Sequence, residues 1–134
     1  MIYPSGTGSR INRIFERLYS HFGPQHWWPA DSSFEVIIGA ILTQNTSWSN
    51  VEKAISAIKK AGCLNPRALF KCPHRKLARL IKSAGYYNLK AKRLRSFFEF
   101  FFGAYSADIS RMGRRDLKTL RRQLLEVKGI GPET

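Results

Sequence analysis

The sequence predicts an all-α fold, and three observations carry that prediction. Apolar residues recur at helical spacing in one run after another. Glycine, alone or with proline, closes most of those runs. The one β-branched apolar stretch has no partner strand elsewhere in the chain.

The elements follow in order. Ile11, Ile14, Phe15, Leu18 and Phe22 keep one face of a helix, and Gly23-Pro24 breaks it. "FEVIIGAILTQN" reads equally as a buried strand by periodicity alone; its length and helical neighbours favour a helix buried on most sides. Val51, Ala54, Ile55 and Ile58 form the next stripe, which runs up to Gly62. Leu77, Leu80, Ile81 and Ala84 follow, stopping at Gly85, where a positive φ costs little. Asn88 is expected to cap a helix carrying Ala91, Leu94, Phe97, Phe98 and Phe101, ending near Gly103. Leu117, Leu120, Leu124 and Val127 make a last stripe before the terminal glycines. The expectation is roughly six or seven helices joined by short turns. Residues 1–10 are expected to be loose and residues 11–134 to form one helical domain.

A chain of 134 residues with 43% hydrophobic content can bury a core rather than stay disordered. The net charge of +14 is unevenly spread: residues 59–128 hold 19 basic and 4 acidic residues, against 4 and 5 elsewhere. A concentrated positive field attracts a polyanion, nucleic acid above all and an anionic membrane surface less often. Cys63 and Cys72 have neither metal-site nor secreted-disulfide spacing and read as reduced thiols. His21, His26 and His74 show no metal or triad spacing. The N-terminus has no signal-peptide core, and the apolar run Val36 to Leu42 is too short to span a bilayer. The expected setting is a reducing cytoplasm, at the nucleoid, with no membrane role.

The closing segment "LLEVKGIGPET" places Gly129-Ile130-Gly131 directly after a helical run. In a Gly-x-Gly turn joining two helices, the amides at the turn and at the start of the second helix point outward, a suitable cradle for a phosphate oxygen. Glycine allows close approach of a sugar-phosphate backbone and the positive φ of the turn. Pro132 is expected just inside the second helix, and Lys128 adds charge at the same edge. A plain glycine C-cap is the alternative for a lone Gly-x-Gly.

That segment resembles the helix-hairpin-helix motif. "FEVIIGAILTQNTSWSNVEKAI" and "SAGYYNLKAKRL" resemble the early helix pair and the later Gly-aromatic-Asn-x-Lys-Ala segment of the endonuclease III-like (HhH-GPD) DNA glycosylases. The three stretches stand in family order. With Trp27-Trp28-Pro29 beside "LTQNT", the chain is similar to the endonuclease III-related 3-methyladenine DNA glycosylases of that superfamily.

The resemblance implies the helical-barrel half of such an enzyme, with the C-terminal helices absent and the chain truncated after the hairpin. It implies base-excision repair: binding duplex DNA, flipping a damaged, alkylated base and hydrolysing its N-glycosidic bond. The catalytic aspartate is expected beyond Thr134, because Asp31, Asp108 and Asp116 all precede the hairpin; no catalytic residue is assigned, and this chain alone is expected to be inactive. Bifunctional relatives carry a lysine where this chain has Glu133, so an intact relative is expected to be monofunctional. Gln44 matches the position that fills the gap left by a flipped nucleotide; the alternative is an ordinary helix end. Trp27, Trp28, Pro29 and Trp48 are candidates for a base pocket, where an indole face would favour a cationic alkylated purine. Core or interface filler is the competing reading for these tryptophans. Lys90, Lys92 and Arg93, with Lys128, Gly129, Ile130 and Gly131, are candidate backbone contacts; for Lys90, Lys92 and Arg93 a solvated face is the alternative. No metal or cofactor is expected in this chain, and the iron-sulfur loop of some relatives falls after its last residue. A monomer is expected. A non-catalytic basic helical nucleic-acid-binding protein is the alternative function.

Overall fold

The computed structural model describes residues 7–26 and 28–134; residues 1–6 and the candidate pocket residue Trp27 lie outside them. Among the described residues there are eight α-helices, one 3-10 turn and no strand. Helix α1 (Thr7–Phe22) begins inside the stretch expected to be loose. The ambiguous run is helix α2 (Ser33–Leu42), capped by Ser32 Oγ, which accepts from the Glu35 amide at 3.2 Å. Its residues favour helix over strand because Phe34, Ile38, Ile41 and Leu42 are all buried by helical neighbours.

Helix α3 (Trp48–Lys60) ends before Gly62, whose φ is +66. Two short helices escape the periodicity signal: α4 (Pro66–Lys71), capped by Asn65, and α7 (Ile109–Gly113), capped by Asp108. Five or six residues cannot display a 3.6-residue period, so their caps are the only sign of them. Between α4 and α7 lie α5 (His74–Leu80), a 3-10 turn (Lys82–Ala84) and α6 (Tyr87–Tyr105). Helix α8 (Leu117–Glu126) starts at Asp116, whose carboxylate accepts from the Thr119 amide. Hydrogen bonding to Thr119 holds the Asp116 carboxyl below its usual range.

Two expected boundaries are corrected. Asn88 does not cap α6; the capping position is Tyr86, in the left-handed region at φ 43, and Asn88 lies within the first turn. Gly103 stays helical, and the left-handed pair Ser106 and Ala107 ends the helix instead.

Helix α6 is the centre of the core. It packs against α2, α4, α5 and α7. Ala91, Leu94, Phe97, Phe98 and Phe101 along one face are at most 1% exposed. The apolar stripe of α1 behaves differently: Ile11, Ile14, Phe15, Leu18, Tyr19 and Phe22 are each more than half exposed.

Candidate nucleic-acid interface

The site is assembled by the first turns of α6. Lys90, expected on the surface as a phosphate contact, is 1% exposed. Its Nζ donates to Leu42 O at 2.8 Å and to Ala84 O at 2.6 Å. Those carbonyls end α2 and the 3-10 turn, where unpaired carbonyls and the negative ends of the helix dipoles accept a cation well. Burial, and then repulsion from Arg93, hold the Lys90 ammonium below its usual range. Lys90 is therefore a clip, corrected from its expected role: it joins the turn bearing Gln44 to the turn bearing Tyr86.

Arg93, one turn further along α6, adds the third segment. Its guanidinium donates to Gln44 Oε1. Its side chain lies where a Cβ on Gly129 would stand, with Cδ only 2.8 Å from that point. Gly129 has φ +95, so both the backbone and the neighbouring arginine require glycine there. Gln44 Nε2 completes the junction by donating to Gly129 O at 2.9 Å and to Thr134 Oγ1 at 3.0 Å. The Gln44 turn and the hairpin thus stand side by side, in accord with the motif order along the chain. Asn45 supports the turn by adopting φ 54, which asparagine tolerates.

Residues 131–134, with Pro132 inside them, form one turn, closed by Thr134 N donating to Gly131 O at 3.1 Å and Gly131 N donating to Thr134 Oγ1 at 3.3 Å. Only Gly129 of the two hairpin glycines has a positive φ. Ile130 N donates back to Val127 O. Among the described residues the amides of Lys128 and Gly129 have no hydrogen-bond partner. Both residues border a groove of about 640 Å³ whose lining includes Lys92, Arg93 and Lys128, together with His74 and Ser96. Three expected cations and the glycine turn therefore converge. His74 and Arg95 also line the groove, which no spacing in the sequence indicates; Arg95 is fixed to Phe70 O and Cys72 O.

The indoles meet elsewhere. Trp28 and Trp48 pack edge to face with centroids 5.2 Å apart. Trp48 lies across Gly39, whose missing side chain makes room for it, and Trp48 Nε1 is buried with no hydrogen-bond partner among the described residues. Trp48 thus belongs partly to the core. Trp28 lines an open apolar cavity of about 720 Å³ with Phe15, Leu18, Tyr19, Phe22 and the 23–26 segment. Pro29 is exposed.

Tyr86, at the capping position of α6, is a residue that periodicity does not single out. It is 70% exposed and held in a left-handed conformation that a bulky side chain rarely adopts. Glycine before two tyrosines is the only sequence sign of it.

Each of the three aspartates has a structural partner. Asp31 pairs with Lys59 at 2.6 Å, which holds its carboxyl below the usual range, and Asp108 and Asp116 cap helices. Among the described residues, no group of three or more His, Cys, Asp or Glu side chains is placed to hold a metal. No described helix is long and apolar enough to cross a membrane.

Known proteins place this geometry in a family. The model of the HhH-GPD superfamily of base excision DNA repair proteins matches residues 38–123. A Methanocaldococcus jannaschii protein named "Putative DNA repair glycosylase" is 44% identical over 92% of this chain and 57% of its own length. The chloroplastic endonuclease III homolog 2 of Arabidopsis thaliana is 29% identical over 78% of this chain and 25% of its own. The crystal structure of H. pylori 3-methyladenine DNA glycosylase bound to 1,N6-ethenoadenine superposes with a TM-score of 0.74 at 27% identity, over 92% of this chain and 59% of that one. The chain thus spans little more than half the length of the M. jannaschii relative and of the solved structure. With the hairpin, the Gln44 turn and the α6 clip in one assembly, the chain belongs to the HhH-GPD superfamily of base excision DNA repair proteins.

Proposed function

We propose that this chain is the DNA-engaging part of a base-excision DNA glycosylase acting on duplex DNA that holds a damaged, alkylated base. The groove at the hairpin is the observation that carries this reading. Two unpartnered amides, a glycine turn and the cations Lys92, Arg93 and Lys128 suit a phosphate better than any neutral ligand. Gln44, next to that groove, is the proposed occupant of the gap left by an extruded nucleotide. To enter it, the Gln44 amide exchanges its bonds to Gly129, Thr134 and Arg93 for bonds to the orphaned base.

The cavity at Trp28 is the proposed base pocket. Its lining is mostly apolar and aromatic, apt for a flat cationic purine, whose positive charge already activates it as a leaving group. A 3-methyladenine DNA glycosylase among the similar structures supports the alkylated-purine reading. Hydrolysis needs a carboxylate, which Asp31, Asp108 and Asp116 do not supply because each is engaged elsewhere. Glu133 stands where bifunctional relatives carry a lysine nucleophile, so the reaction is proposed to be hydrolytic, without strand cleavage and without a cofactor from this chain. The protein is proposed to act as a monomer, at the nucleoid.

Binding to duplexes with and without an abasic-site analogue tests this. The chain is expected to bind the analogue duplex at least several-fold more tightly. Gly129→Ala, strained at φ +95 and crowded by Arg93, is expected to weaken binding to both. Equal affinity for the two duplexes would favour a non-catalytic nucleic-acid binder and defeat the glycosylase reading.

A further inference from the structure

A second basic surface lies at the opposite end of α8 from the hairpin. Between residues 111 and 122 the chain carries Arg111, Arg114, Arg115, Lys118, Arg121 and Arg122 against the single acid Asp116. Asp116 is occupied as the cap of α8. Among the described residues the only ion pairs are those of Lys59 with Asp31 and Glu35, so none of these cations makes one; Arg115 acts on Asp116 only at longer range. Crowding uncompensated arginines costs Coulomb energy, which a bound polyanion removes.

The cluster is also shaped. Arg111, Arg114 and Arg115 line a concavity of about 330 Å³ with Ala104, Tyr105 and Gln123. The Tyr105 hydroxyl donates to Gln123 Oε1, which ties the end of α6 to α8 below the arginines. Arg111 is steadied by a 3.2 Å bond from Nη1 to Ser106 Oγ. Arg114 and Arg115 are exposed and make no side-chain hydrogen bond among the described residues. A planar guanidinium presents paired donors to phosphate oxygens, so three around one hollow match a run of phosphates rather than a single carboxylate.

Distance selects the ligand. Helix α8 has 10 residues, so the arginines before its first turn and the hairpin after its last are about 15 Å apart along its axis, with Gln123 carrying the wall of the hollow part of the way. That is the rise of roughly four base pairs at about 3.4 Å per step along one strand.

We propose that the hollow formed by Arg111, Arg114 and Arg115 is a second phosphate-backbone site, which holds the flank of the same duplex engaged at the hairpin about four base pairs away. It rests on the reading of the hairpin as a DNA contact, and it adds affinity without reading sequence. The hollow makes the complex longer than the hairpin groove alone requires.

The experiment measures duplex affinity against salt for the full chain, for Arg111→Gln/Arg114→Gln/Arg115→Gln, for the lysine version of the same triple, and for Gly129→Ala. Duplexes of about 8 and 20 base pairs are compared. The glutamine triple is expected to flatten the log–log salt slope by about 0.9 for each phosphate it no longer neutralises, and to remove the advantage of the longer duplex. The lysine triple should restore most of the slope. A glutamine triple with wild-type slope and length dependence overturns the proposal while leaving the hairpin reading intact. If the wild-type chain binds no duplex, the hairpin reading fails and the second site with it. If the triple loses only its co-sedimentation with phosphatidylserine vesicles, the patch belongs to a membrane surface and the proposal is wrong. Unchanged thermal melting is the control, since Arg111, Arg114 and Arg115 are all exposed.

Discussion

Helices α1 and α6 carry the same kind of sequence signal and occupy opposite situations. Both repeat apolar residues at helical spacing. The stripe of α6 is sealed among other helices, while that of α1 is open, with Phe15 at 62% exposure against 0% for Phe98. Periodicity reports which face a helix would bury; it is silent on whether anything covers that face. The stability of this chain should therefore reside in α6 and its clip, with α1 contributing little of it.

The largest effect should come from the centre of α6. Phe98→Ala removes a fully buried ring packed near Phe34 and Phe97, and is expected to cost about 3–5 kcal/mol in urea unfolding. A loss below about 1 kcal/mol would place the core elsewhere.

Lys90→Met comes next. It leaves Leu42 O and Ala84 O without their donor, and the expected loss near neutral pH is about 2 kcal/mol. The pH dependence has a definite sign. The folded value of Lys90 is lowered from 10.5, so between that lowered value and 10.5 the unfolded chain holds more protons than the folded one. The contribution of Lys90 to stability then rises with pH across that alkaline window. Thermal melting of wild type and variant from about pH 7 to 10.5 should show the wild type gaining relative to Lys90→Met. A gap that narrows with rising pH would contradict the buried-cation assignment.

The smallest effect belongs to α1. Phe15→Ser is expected to change unfolding free energy by no more than about 0.5 kcal/mol. It should also reduce concentration-dependent self-association, measured by light scattering, because it interrupts an exposed apolar stripe. A loss comparable to that of Phe98→Ala would mean that α1 is covered in solution.

Much of the fold is legible in the sequence because most of its helices are amphipathic and closed by visible breakers. Gly62 and Gly85 take positive φ where the runs are expected to stop. The short helices α4 and α7 are not legible, since their hydrophobic pattern is shorter than two turns. At the site, the proximity of Gln44 and the hairpin follows from motif resemblance, and the hydrogen bond between them accords with it. Lys90 shows the limit of that reasoning. A lysine two residues from Asn88 and beside other cations reads as a solvated face, and only the convergence of two helix C-termini on its ammonium makes burial tolerable. That convergence is a tertiary event, invisible along the chain. The same holds for Arg93, whose stem occupies the space above Gly129.

The Gln44 side chain joins turns that lie far apart in sequence, with Thr134 90 positions further along the chain. The two are fastened through a single amide, so they cannot yield independently. On the proposed reading, a double helix pressing on the glycines would transmit the push to residue 44, and any displacement of residue 44 would tug the glycines in return. Contact with the strand and probing between the bases would then be one mechanical event.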